Sequence, residues 1–375
     1  MIYLDYSATT PVDNDVLDTF NRVSKDFMGN PNSLHSLGSK SANLISSATK
    51  QIADILGVKE SEIIYTSGAS ESNNTAIKGI CLKYPHKKHI ITTYYEHSSI
   101  NSPLKYLETL NYEIEYLKDN EGIIDLDDLK AKLRKDTCLV IASAVNSEIG
   151  LLQPINEIGK IVKDNSNAVF FSDITQLVGK KRVDLKYIDL ASFSAHKFFG
   201  IKGIGGLVKK ANIELIPLIM GGKSTTVYRS GTQSPALIAS MAKALRLANN
   251  NLDKYDYILS LNKYLKSNIV FNDHIAINSN DNCLPHILNI SVLGIKPESL
   301  LHALEKYDIY ISTKTACSSD DGLSLSVLNL TKNKDLAASS IRISLSYLTT
   351  KEELNEFLIH FKECVNKLLD IKKQV

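Results

Sequence analysis

Short apolar runs alternate with longer stretches of helical period through the first half of the chain. EIIYT (62–66), HIITT (89–93), EIEYL (113–117), CLVIASA (138–144), AVFFS (168–172) and DLASF (189–193) are rich in β-branched and aromatic residues, the composition of strands, several of them apolar throughout. Between them, 70–82, 100–110, 126–133 and 155–163 carry apolar residues at helical spacing. This alternation predicts an α/β unit around a mostly parallel sheet. Towards the end the pattern changes. HILNISVL (286–293) and SIRISLSYL (340–348) alternate like strands, and Thr350 with Glu353 forms a capping box that opens a helix. On that helix Leu354, Phe357, Leu358, Phe361, Val365 and Leu368 recur on one face, which signals core packing and nothing more. The expected division is a large α/β domain over 14–255 and a smaller α+β domain made of 1–13 and 256–375. No internal repeat, low-complexity tract or Pro/Gly-rich linker marks the boundary.

Composition narrows the function. Lys+Arg 43 against Asp+Glu 41 leaves a net charge of +2, which argues against a dedicated nucleic-acid binder or an electrostatically held membrane protein. No apolar run approaches the roughly 18 residues of a membrane span, and MIYLDYSATTPVDND at the start lacks a basic region followed by an apolar core. A soluble cytoplasmic protein with no nucleic-acid or membrane partner is expected. Five cysteines without C-x-x-C spacing indicate neither a disulfide framework nor a zinc site, and no metal is expected. Cys81, Cys138, Cys283 and Cys364 sit in apolar contexts and read as buried fillers. Cys317 differs, because its neighbours in TKTACSSDDGLS are small and polar.

The chemistry gathers where strands end. In open parallel sheets ligands bind beyond the carboxyl ends of the strands. Glu96 and His97 follow HIITT, Asn146, Ser147 and Glu148 follow CLVIASA, Asp173 and Gln176 follow AVFFS, and Ser194, His196 and Lys197 follow DLASF. Each has an ordinary explanation alone, His97 as a surface histidine, Asp173 as a helix cap, Lys197 as a solvated lysine. Together they supply a lysine able to form an imine, a carboxylate to keep a ring nitrogen protonated, an imidazole and amide donors, which is what an aldehyde cofactor on a pyridine ring requires. Lys197 between His196 and Phe198-Phe199 is poorly solvated, and desolvation favours its neutral, nucleophilic amine. TSGASESNN (66–74) offers a glycine turn, then Ser70, at a helix start suited to a phosphate. His97 is placed to stack on the ring and move protons near neutral pH.

Other phosphate motifs fail. GGKST (221–225) contains Gly-Lys-Ser, but the upstream glycine of a nucleotide-binding loop would fall on Pro217. GIKGIGGL (200–207) does not give G-x-G-x-x-G between a strand and a helix, and reads as a hairpin turn after the lysine.

At this point the chain resembles the pyridoxal-phosphate-dependent cysteine desulfurases of the NifS/IscS group, class-V aminotransferases with the aspartate-aminotransferase-type (type I) fold. The likeness runs through YLDYSATTPVD (3–13), GNPNSLHSLG (29–38), IIYTSGASESNN (63–74), Glu96-His97, VNSEIGLLQPI (145–155), SDITQLVGK (172–180), SFSAHKFFGIKGIGGL (192–207), RSGTQS (229–234), TACSS (315–319) and SSIRISLSYLTTKEEL (339–354). The resemblance implies that Lys197 holds the cofactor, Asp173 pairs its ring nitrogen, Gln176 bonds its phenolic oxygen and His97 stacks on it. It also implies that Ala69, Ser70, Ser194 and His196 hold the phosphate, with Ser147 near the ring and Thr232 reaching over from the other subunit of a homodimer. Asn146 and Arg342 would bind the L-cysteine substrate, the guanidinium gripping its carboxylate, and Cys317 would take the sulfur as a persulfide for transfer to an acceptor protein. Lys314 is a candidate to lower the Cys317 thiol pKa.

Three stretches depart from the family pattern. Ser147 stands where a second asparagine is usual, MGGKSTTVY (220–228) precedes RSGT in place of a glycine triplet with Gln-Glu or His-Glu, and the cysteine loop reads STKTAC (312–317). A lyase acting on selenocysteine or another β-substituted amino acid and a low-activity sulfur-delivery scaffold stand as alternatives. The acceptor is open among iron–sulfur cluster assembly, tRNA thiolation and thiamine synthesis.

Overall fold

The computed structural model describes residues 1–222, 226–313 and 322–373. Its large sheet runs in the order Ile63–Thr66, Gly205–Lys209, Leu190–Ser194, Val169–Asp173, Thr137–Ile141, His89–Thr92, Glu113–Tyr116. Every neighbouring pair is parallel except those made by Gly205–Lys209, which runs against both its partners. The central strands are apolar throughout because both faces are covered. Phe170 packs with Ile52, Ile158 and Ile238 on one side, while the next residue, Phe171, packs with Ile77, Ile80 and Leu104 on the other. Helices Ser36–Leu56, Ile155–Asn165 and Pro235–Asn250 cover the first face, and Ala69–Lys83 and Ser98–Glu108 the second.

All six strands expected in the first half of the chain form, with ends shifted by up to three residues. Two shifts bear on function. The strand expected over 168–172 extends through Asp173, so that carboxylate is the last strand residue, at the carboxyl end of a central strand. The helix expected over 100–110 begins at Ser98, with His97 as its cap. GIKGIGGL does turn after the lysine, but its second half continues as the strand Gly205–Lys209. Glycines there replace the β-branched residues that mark strands. A Cβ on Gly205 would lie 2.5 Å from the Phe193 carbonyl oxygen and 2.7 Å from Gly68 Cα, so only glycine lets this strand and the loop after Ile63–Thr66 approach so closely.

A second core lies around the antiparallel strands Ile275–Ile277, Ile287–Val292 and Ser340–Ser344. Ile2–Tyr3 pairs in parallel with Ile309–Tyr310, and Ile2 and Leu4 share a cluster with Ile341, Phe357 and Phe361. The helix Lys351–Lys373 opens on the expected box: the Thr350 N–H donates to the Glu353 carboxylate at 2.9 Å and the Glu353 N–H to Thr350 Oγ1 at 3.1 Å. Cys81, Cys138 and Cys364 are buried as expected. Cys283 is only half-buried, because it sits on the loop that bridges to Leu151. Among the described residues no helix is long and apolar enough to cross a membrane, and no His/Cys/Asp/Glu group could hold a metal ion.

Candidate active site

A cavity of about 790 Å³ opens beyond the carboxyl ends of the parallel strands. Ala69, Ser70, His97, Ser147, Asp173, Gln176, Ser194, His196, Lys197 and Arg342 all line it. Of the described residues expected in the site from the sequence, Asn146 and Thr232 are missing from that wall. Cys317, with Lys314, lies outside the described residues.

Lys197 ends the short turn Ala195–Lys197 that follows the strand Leu190–Ser194. Its Nζ donates to the carbonyl oxygens of Ser7 at 2.6 Å and Ala8 at 2.7 Å. Burial, and then the Arg342 charge, lower its pKa to about 8. An appreciable fraction of the amine is therefore neutral and nucleophilic near physiological pH. The N-terminal segment also grips the turn from the other side, through Thr10 N–H and Oγ1 to the His196 carbonyl at 2.9 and 3.0 Å. The His196 ring meets Thr9 Oγ1 at 3.1 Å, and burial with the Lys197 charge keeps it neutral down to about 4.

Asp173 is buried, and its oxygens accept from Asn73 Nδ2 and the Thr175 N–H, each at 2.9 Å. Asn73 also donates to Ser99 Oγ at 2.8 Å, and Ser99 Oγ lies 2.8 Å from His97 Nδ1. The Ser99 N–H donates to the same His97 Nδ1 at 3.1 Å. With Nδ1 accepting, the neutral ring carries its proton on Nε2. Burial is the main force holding the His97 pKa below the ordinary value, with Asp173 pulling the other way. One amide, Asn73, thus fixes both the carboxylate and the imidazole. Sequence reading passed over it inside TSGASESNN, although its place one helical turn after Ser70 was available.

The anion end of the cavity is built on the start of helix Ala69–Lys83. Gly68 adopts φ 155°, a backbone conformation that side chains rarely take. The Ala69 N–H donates to Ser194 Oγ at 2.6 Å, so Ser194 and the helix start are one unit. Glu71 accepts from the Ser67 N–H at 2.8 Å and from Arg229 Nε at 3.0 Å.

Arg342 projects from the strand Ser340–Ser344 and is 3% exposed. Its two terminal nitrogens donate to Asp5 at 2.8 Å and to the Ser147 carbonyl oxygen at 2.9 Å. Its Nε has no partner. Ser312, which precedes the stretch containing Cys317, exchanges backbone hydrogen bonds with Arg342 at 2.7 and 3.1 Å and lines the cavity. Asp5 and the carbonyls of Ser7 and Ala8 were not anticipated as site groups.

Two of the expected site residues lie off this chain's cavity wall. Asn146 was expected on the substrate, but its side chain is spent on the protein: Nδ2 donates to the Tyr95 carbonyl and Ser326 Oγ, and Oδ1 accepts from the Glu148 and Ile149 N–H groups. It braces the loop after Thr137–Ile141 and does not line the cavity. Thr232 is exposed and off this chain's cavity wall.

The wall fits pyridoxal phosphate. It presents a desolvated amine, a buried carboxylate with two fixed donors, and a helix start with glycine backbone. Three buried polar atoms of lining residues, Ser7 Oγ, Thr175 Oγ1 and Arg342 Nε, have no protein partner and suit a polar ligand.

The aminotransferase class-V family model matches residues 2–357. A NifS/IcsS protein homolog of Lactobacillus delbrueckii subsp. bulgaricus is 42% identical over 97% of this chain and 97% of its own length. A protein of Dictyoglomus turgidum named cysteine desulfurase IscS is 40% identical over 99% of this chain and 96% of its own. A solved NifS-like protein superposes with a TM-score of 0.90 at 33% identity, over 97% of this chain and 99% of that one. With the lysine, the carboxylate and the phosphate-type helix start on one cavity wall, these relationships have a single reading: the chain belongs to the class-V aminotransferase family, in its NifS/IscS group of pyridoxal-phosphate-dependent cysteine desulfurases.

Proposed function

We propose that this chain converts L-cysteine to L-alanine and passes the sulfur on through Cys317, with the cavity residues in the roles their contacts suit. The observation that carries this reading is the joint placement of Lys197, Asp173, Ser194 and Arg342 on one wall. Bound pyridoxal phosphate supplies an aldehyde that links to an amine and a ring that accommodates negative charge next to that carbon. Lys197 Nζ holds the cofactor and, when released, moves the proton at the substrate α-carbon. Asp173, fixed by Asn73 and the Thr175 N–H, holds the ring nitrogen in its protonated form. Gln176 Nε2, which donates to the Ser7 carbonyl at 2.9 Å, is the donor for the phenolic oxygen. His97 stacks over the ring, with Ser147 beside it. Ala69, Ser70, Ser194 and His196 bind the phosphate, and Thr232 of a second copy completes that site in a homodimer.

Arg342 Nε, buried and unpartnered, receives the substrate carboxylate. The Cys317 thiolate then attacks the substrate sulfur. The new S–S bond forms as the Cβ–S bond breaks, the electron pair stays with the three-carbon skeleton, and protonation releases it as L-alanine. A persulfide remains on Cys317 for an acceptor protein, an iron–sulfur scaffold or a tRNA-thiolation enzyme, in the cytoplasm. We place the domain division at 14 and 255, where the two apolar clusters part: Val16 and Tyr255 pack with the first, Leu4 and Ile258 with the second.

The test combines three proteins. The native chain should carry a visible absorption band and release alanine from L-cysteine. Lys197→Ala should lose the band. Cys317→Ser should keep the band and lose the protein-bound persulfide. Persulfide formation that survives Cys317→Ser overturns the assignment of that thiol, and a native chain that binds no pyridoxal phosphate overturns the whole.

A further inference from the structure

Gln176 and Lys180 stand four residues apart in TQLVGK (175–180). Gly179 between them has φ 74°, and a Cβ there would lie 2.9 Å from the Cβ atoms of both Ala248 and Phe198. That turn tucks under Phe198 and returns Lys180 to the underside of the site. Lys180 is 8% exposed, and its Nζ donates to Gln176 Oε1 at 2.5 Å. Among the described residues it enters no ion pair. A buried ammonium without a carboxylate is costly, and one beside a binding cavity points to a task.

The task follows from donor and acceptor chemistry. A side-chain amide has one accepting and one donating end, and a lysine ammonium only donates. The Ser7 carbonyl, which holds Gln176 Nε2 at 2.9 Å, only accepts. Both partners therefore impose the same orientation: Oε1 towards Lys180, Nε2 towards Ser7 and the cavity. We infer that Lys180 is a positioning residue that locks the Gln176 amide with its donor facing the phenolic oxygen of the cofactor. This rests on the reading of Gln176 given above. An apolar residue at 180 would leave Oε1 buried and unpaired, free to turn towards the cavity and meet an oxygen with an oxygen. Burial, and then the charges of Lys197 and Arg342, lower the Lys180 pKa to about 7, and the neutral amine still has two N–H donors to offer Oε1. Lys180 in turn adds to the burial that keeps the His286 ring neutral.

The experiment uses the full-length protein loaded with pyridoxal phosphate: native, Lys180→Met, Gln176→Leu and the double variant. Absorbance of the bound cofactor is titrated against pH, and its Kd is measured by equilibrium dialysis. Each single variant is expected to raise the midpoint by about one pH unit, because each takes away the donor that faces the phenolic oxygen and opposes protonation, and to weaken binding about ten-fold. The double variant should go no further than the single ones. If Gln176→Leu leaves the band unmoved, the reading of Gln176 fails. If Gln176→Leu moves it and Lys180→Met does not, or if the two effects add, the lock is wrong and Lys180 acts by charge alone or not at all. Thermal melts of the cofactor-free proteins monitor folding. Should Lys180→Met not fold, Lys180→Ala, which cannot donate to Oε1, takes its place with the same expected direction.

Discussion

Asp5 and Arg342 meet at 2.8 Å inside the cavity wall although 337 positions separate them along the chain. The contact joins the N-terminal segment to the strand Ser340–Ser344 at the point where the substrate carboxylate is to bind. The guanidinium is held on two sides before any ligand arrives, leaving Nε for the incoming anion. Pre-fixing lowers the entropy cost of gripping a small substrate. Asp5→Asn is expected to destabilise the cofactor-free protein by about 1.5–3 kcal/mol, the range for a hydrogen bond to a charged group, and to raise the KM for L-cysteine. Arg342→Lys should raise KM further, at least about ten-fold, because an ammonium cannot keep the fork of contacts. Denaturant melts and initial-rate kinetics check both.

Asn73 ties Asp173 to the Ser99–His97 pair. Asn73→Ala should therefore act at two places at once. Cofactor affinity is expected to fall about ten-fold, the equivalent of one charged hydrogen bond. His97 loses the group that orients Ser99, so the pH profile of turnover should broaden or move. Equilibrium dialysis with a pH–rate profile tests this, and a native-like profile would leave His97 fixed by its helix cap alone.

Gly205→Ala is expected to damage the phosphate end without touching a polar group. The added methyl meets the Phe193 carbonyl and Gly68 Cα, and overpacking of this kind costs about 1–3 kcal/mol. Because the displaced atoms belong to the loop before Ala69–Lys83, pyridoxal phosphate should bind less tightly while pyridoxal, which lacks the phosphate, is affected much less. Comparing the two Kd values reads out the difference.

Lys197 gives a stability signature in the cofactor-free protein. Its folded pKa is lowered from the ordinary 10.5 to about 8. The native state therefore holds fewer protons than the unfolded chain between those values. Stability from this group should rise with pH across that window, the penalty being complete below about pH 8 and relieved towards 10.5. The full relief is on the order of 3 kcal/mol. Lys197→Met should lessen the slope between pH 8 and 10 in urea titrations, the remainder coming from buried groups such as Lys180, whose pKa is lowered to about 7, and an unchanged slope would mean the amine is solvated in the folded state.

The legible part of this site is the part carried by strand ends. Lys197, Asp173, Ser194 and Gln176 follow apolar runs within a few residues, and the parallel-sheet rule brings such ends together without further information. Asp5 had no such signal, since nothing local says that a residue before YSATT will meet one in SIRISL. Asn146 also follows a strand end, and there the tight turn around it engages both ends of its amide with protein groups. The strand Gly205–Lys209 was read as part of a turn because its glycines serve close approach and not strand propensity.

The bridge between Asp5 and Ser344, reinforced by the Ser344 N–H to the Leu4 carbonyl at 2.7 Å, sets an order of events during synthesis. The seven-stranded sheet is complete once Lys209 has emerged. The segment that covers the reactive amine can be clamped only after the ribosome has added more than a hundred further residues, since closures across so long a span come late. Vitamin capture in its final geometry is thus an event of the finished polypeptide, and nascent chains stalled short of Ser344 should present a formed sheet with a loosely roofed crevice.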